Sequence, residues 1–162
     1  MRQIQPRGGW IIVFTFLLAM ALSIAPMPGW TEYLRPAWVP MVLVYWCMAL
    51  PERVGVGVGW LVGLFVDVLQ DALLGQHALA FAIVAFLILK LHQRLRVFPL
   101  GQQALTVLLL IALAQMLSLW IRGVTGQPPT VWIYLLPALT SALMWPWAFL
   151  LMRELRRRFR VA

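Results

Sequence analysis

Residues Val54–Gly75 read VGVGVGWLVGLFVDVLQDALLG. A run this long and this apolar suits a bilayer-crossing helix, which needs about 20 residues to traverse ~30 Å of hydrocarbon. Gly55, Gly59 and Gly63 are spaced by four, and the same step reaches Asp67 and Asp71. On a helix each such step returns to nearly the same face, so the five residues form one slowly turning stripe. Glycines there let a second helix approach closely, which matters in lipid because association depends on van der Waals contact. The spacing is no phosphate-binding fingerprint, since the strand–turn–helix context and the rest of such a motif are missing. The stripe therefore predicts close helix packing inside a bundle, with Gly55, Gly59, Gly63 and Asp67 as packing or partner-contact residues.

Asp67 differs in kind from the glycines. An aspartate near the bilayer centre costs about 2.5–3.5 kcal/mol, so it is expected to face protein or water. Ser118, Gln115 and Trp60 are the expected hydrogen-bond partners. A proton or cation site is the sharper alternative, but no Lys, Arg or His is expected at that depth to serve it. Asp71 is expected at the outer headgroups, with Arg122 on the same side of the membrane.

Composition extends this reading to the whole chain. The protein has 162 residues, 63% apolar and 11% charged, against about 25% charged in an average soluble domain. That excludes a soluble globule, a disordered chain and a cytosolic enzyme. Apolar runs fall at roughly 10–25, 36–50, 54–74, 78–91, 104–121 and 131–152. They predict an all-α, six-helix transmembrane bundle occupying 1–162 as one integral membrane domain. The second and fourth runs are short for a full crossing and could be re-entrant.

Short cytoplasmic loops collect Lys and Arg. With the N-terminus inside and six crossings, only Arg35 and Arg122 of the 13 Lys and Arg residues fall outside. Both termini are thus expected in the cytoplasm. The tail Arg153, Arg156, Arg157, Arg158 and Arg160 would hold the last helix end inside and attract anionic lipid or an acidic partner. Charge distributed this way disfavours nucleic-acid binding, which needs one basic face. The connections are too short to fold a separate catalytic or binding domain.

The remaining polar residues make a weak case for chemistry. Cys47 is the one cysteine, so neither a disulfide nor a cysteine metal cluster can form within the chain. His77 and His92 are expected at opposite membrane surfaces, each solvated. No nucleophile motif is present, and no cofactor or metal is implied. Trp10, Trp30, Trp38, Trp120 and Trp132 suit interfacial positions, while Trp46, Trp60 and Trp145 lie deeper and need protein neighbours. Pro137 and Pro146 predict a kink or hinge in the last run.

The segment Arg35–Gly75 resembles the rod shape-determining protein MreD family. The likeness is carried by Arg35-Pro36, Trp38, Tyr45-Trp46, Pro51, Arg53, Gly57, Gly59, Gly63, Asp67 and Gly75. Gln102-Gln103 and Trp145-Pro146-Trp147 with Arg153 extend it over the whole chain. The resemblance also favours keeping the first run, although Arg2, Arg7 and Ala19-Met20-Ala21 together look like a cleavable leader. It implies a fold similar to energy-coupling-factor transporter S-components. It further implies a non-enzymatic inner-membrane scaffold of the bacterial elongation complex. Its partners would be a single-span MreC-like protein, with MreB-like filaments and peptidoglycan synthases such as RodA reached directly or indirectly. Membrane lipids, and a second copy of the chain, are further possible partners. Arg35 and Arg122 outside, and Arg153, Arg156, Arg157 and Arg158 inside, are the expected surface contacts. A small-solute binding or transport subunit is the rival reading, and would need a cavity lined by Asp67, Gln70, Gln115, Ser118, Thr140 and Ser141.

Overall fold

The computed structural model describes residues 9–25, 35, 37–51, 54–69, 74–124, 126 and 131–159, with the side chains of 131–134 outside the description. The described residues form six helices and no strand. They are α1 (Gly9–Ile24), α2 (Trp38–Ala49), α3 (Val56–Leu69), α4 (Gln76–Val97), α5 (Leu100–Val124) and α6 (Val131–Arg158). Three stretches are long and apolar enough to cross a membrane: Gln76–Val97, Leu100–Val124 and Leu135–Arg158. The other three helices are apolar but shorter.

The fourth run, which looked short, becomes a helix of 22 residues. Hydropathy fades at Lys90, but the helix continues through Leu91, Gln93 and Arg94, all good helix formers. The second run stays short, at 12 residues, and its burial explains why. Every residue of α2 except Trp38 and Val42 is buried, as expected of a short apolar helix at the centre of a bundle rather than one facing lipid.

Helix α2 packs on α1 and α4, α3 lies along α4, and α5 joins α4 to α6. Fully buried Trp46, Leu43, Ile88, Ile111 and Trp145 fill the core between them. Helices consecutive in sequence that pack together run in opposite directions, so the bundle has two ends. At one end Trp10 of α1 meets Phe159 edge to face, with ring centroids 5.2 Å apart. Helix α6 is continuous through Pro137 and Pro146. The Thr140 and Ser141 hydroxyls donate to the Pro137 carbonyl, at 3.0 and 2.6 Å.

Candidate functional site

The stripe of α3 runs along α4 in antiparallel order. A Cβ on Gly55 would touch the Leu89 side chain at 3.5 Å, an ordinary contact. On Gly59 it would stand 2.9 Å from the Phe81 carbonyl oxygen, and on Gly63 only 2.4 Å from the Ala78 Cα. The two backbones therefore close on each other toward the first turn of α4. One step further along the stripe stands Asp67, fully buried.

Asp67 closes the start of α4. Gly75, with φ of +100°, occupies the N-cap position and has no side chain to cap the helix. The first amide groups of a helix lack intrahelical acceptors and carry partial positive charge. The Asp67 carboxylate supplies the missing acceptors: Oδ2 takes the Gly75 N–H at 2.9 Å, and Oδ1 takes the His77 N–H at 2.8 Å. His77 Nδ1 also lies 2.8 Å from Oδ1. With the carboxylate ionised, that ring nitrogen carries the proton and donates it.

This geometry corrects the expected environment of Asp67. Its partners are the N-terminus of α4 and His77, not Ser118, Gln115 or Trp60. His77 is half-buried rather than solvated, and Trp60 is 48% exposed on the outer face of α3. His92 bonds the Leu89 carbonyl of its own helix at 2.7 Å. Asp71, Gln70, Arg53, Arg160, Trp30 and the side chain of Trp132 lie outside the described residues.

Other helix ends are closed in the same way by side chains from elsewhere in the chain. The Ala37 N–H, at the N-cap of α2, donates to Ser141 Oγ of α6 at 2.7 Å. At the other end of α2, Arg96 of α4 donates to the Met48 and Ala49 carbonyls at 2.8 and 3.0 Å. The Arg35 guanidinium donates to the Ser23 and Ala25 carbonyls where α1 ends. Gln103 of α5 donates to Leu95 and Phe98 carbonyls at the end of α4, at 2.9 and 3.3 Å. Its Oε1 accepts the Trp145 indole N–H at 3.3 Å. The Trp46 indole donates to Thr15 at 2.9 Å, so two of the three deep tryptophans have polar partners.

The sequence does not single out Arg96 or His77 as site residues, and it offers Ser141 only as part of a solute cavity. The signal that could have found them is a deficit: α2 and α4 begin without an N-capping side chain, and their orphan groups need acceptors or donors from elsewhere. The polar residues that a solute cavity would need are dispersed. Asp67, Thr140 and Ser141 are engaged with helix backbones. Arg122 lies close enough to His77 to act on it electrostatically. Arg153 and Arg156 stand at the opposite end of the bundle beside Tyr45, and Arg157 and Arg158 are exposed there. Among the described residues no group of three His, Cys, Asp or Glu side chains could hold a metal ion.

The fold and the site define a helical membrane protein whose buried polar groups mainly join its own helix ends. The family model of the rod shape-determining protein MreD matches residues 5–155. A rod shape-determining protein MreD from Haemophilus influenzae (strain ATCC 51907 / DSM 11121 / KW20 / Rd) is 35% identical over 153 residues, covering 94% of each chain. The chain belongs to the MreD family. No solved structure matches it.

Proposed function

We propose that the chain is a non-enzymatic inner-membrane scaffold of the rod complex, with six crossings and both termini in the cytoplasm. In this reading it holds an MreC-like single-span protein against its apolar outer faces. Through that protein or directly, it then supports MreB-like filaments and lateral peptidoglycan synthesis. The observation that carries the reading is the internal engagement of the charged and polar groups. Asp67, Arg35 and Arg96 bond helix ends within the chain, which leaves little for a reacting centre. What faces outward is apolar: Trp10, Phe14 and Leu18 on α1, and Trp60 and Phe65 on α3. Burying such side chains against a partner's span suits van der Waals association in lipid.

The test is co-expression of the tagged chain with an MreC-like protein, solubilisation, and affinity purification with quantitative mass spectrometry. The expected result is retention of the MreC-like protein in near-stoichiometric amount, with an unrelated single-span protein washed away. Recovery of the chain without it would refute the scaffold reading.

A further inference from the structure

We propose that the arginine-bearing end of the bundle contains a binding site for a phosphate-bearing anionic head group, that of an acidic phospholipid. A cleft of about 240 Å³ opens there between α2, α4, α5 and α6. Its walls include Tyr45, Arg96, Gln103, Phe149, Arg153 and Arg156. Arg153 and Arg156 are one helical turn apart, so both project from the same side of α6. Tyr45 is buried, and both arginines lie close enough to act on its hydroxyl.

Three features of this cleft point to an anion. Arg96, Arg153 and Arg156 all line this one cleft, and like charges brought together gain energy when an anion sits among them. The buried carboxylate Asp67, bonded to His77, lies at the far end of the bundle. Among the described residues no carboxylate is paired with Arg96, Arg153 or Arg156. Gln103 and Arg96 are held in place by backbone carbonyls, so part of the wall is preorganised. Planar guanidinium groups pair two-pronged with phosphate oxygens, which a scattered basic surface does not arrange.

The surroundings point to lipid as the source of that phosphate. The cleft sits where the apolar stretch Leu135–Arg158 reaches its basic end, the level at which headgroups lie in a bilayer. Part of its lining is apolar, with Met48, Ala49 and Phe149 beside the charged groups. That mixture matches a phosphate joined to glycerol and acyl chains. Basic pockets between transmembrane helices take acidic lipid head groups for this reason.

The test uses the full chain in detergent, titrated with dioleoyl phosphatidylglycerol or dioleoyl phosphatidylcholine and read by native mass spectrometry. Phosphatidylglycerol is expected to bind the more tightly. Arg153→Gln with Arg156→Gln should weaken that binding about tenfold, whereas Arg157→Gln with Arg158→Gln, the same charge removed outside the cleft, should change it by no more than about twofold. If the first pair unfolds the protein, Arg153→Gln alone serves, because Arg153 is exposed and Arg156 stays against Tyr45. Glycerol 1-phosphate added as competitor separates the sources. Displacement of the lipid would show that free phosphate esters also enter, and failure to displace it would assign the site to lipid alone. Equal weakening by both arginine pairs, no preference between the lipids, or selective retention of an Asp- and Glu-rich peptide instead would overturn the proposal.

Discussion

Gly63 stands where two helix backbones leave no room for a side chain. Its virtual Cβ lies 2.4 Å from the Ala78 Cα and 2.6 Å from the His77 carbonyl carbon. These are backbone atoms, so relief requires α3 and α4 to separate rather than a side chain to turn. Gly57, on the same helix, has nothing within 4 Å. Gly63→Ala is expected to destabilise by about 2 kcal/mol, as overpacking of a tight contact does. Gly57→Ala should be neutral or stabilising by up to about 1 kcal/mol, from the helix preference for alanine. Thermal unfolding of both variants in detergent checks this, and equal transitions would contradict the geometry. Asp67 is argued on the same grounds. Asp67→Ala leaves the Gly75 and His77 amides and the His77 ring without an acceptor, at roughly 1–3 kcal/mol for each buried donor left unsatisfied. Asp67→Asn keeps one acceptor oxygen and should fall between that variant and the native chain in the same measurement.

At the scale of elements, the bundle is joined as much at its helix ends as along its faces. Helix α2 has only 12 residues and is too short to be stable alone. Its burial and its two closures, Ser141 at the start and Arg96 at the finish, hold it. Cationic groups near a helix C-terminus bond the last carbonyls and oppose the negative end of the helix dipole. Arg96→Gln is therefore expected to cost about 1–2 kcal/mol, as lost hydrogen bonds from a charged donor do. Arg94→Gln, an exposed residue two positions away, should cost almost nothing. Amide hydrogen exchange across Leu43–Leu50 would report the difference, and equal protection in the two variants would contradict the capping role. In α6, Pro137 interrupts the hydrogen-bond ladder, yet the helix is continuous. The carbonyl that Pro137 leaves without an N–H lies one turn earlier, while the hydroxyls of Thr140 and Ser141 donate back to the Pro137 carbonyl itself, as serine and threonine do inside helices. The proline signal was legible in the sequence; the absence of a helix end there depends on neighbours that composition does not name.

At the scale of the molecule, the alternation of helix direction sorts the charges by end. Arg96, Arg153 and Arg156 line one cleft, while Arg35 closes α1 and Arg122 stands near His77 at the opposite end. The arginine-rich end is expected to face the cytoplasm, as basic loops do. Reporter fusions at the two termini check this: both should be active with a cytoplasmic reporter and inactive with a periplasmic one. A periplasmic signal at one terminus alone would contradict the proposed even number of crossings, and at both it would contradict the proposed orientation. By itself the sequence determined a helical chain suited to lipid, the order of its apolar runs, and a small-residue stripe apt for helix contact. Those properties follow from transfer energy and helical period, both local along the chain. Only the tertiary structure decided that Asp67 caps α4, that Arg96 reaches back 48 residues to Met48, and that α2 is central. Such pairings are set by which helix ends come together in space, and an orphan amide or carbonyl states its need for a partner without naming one.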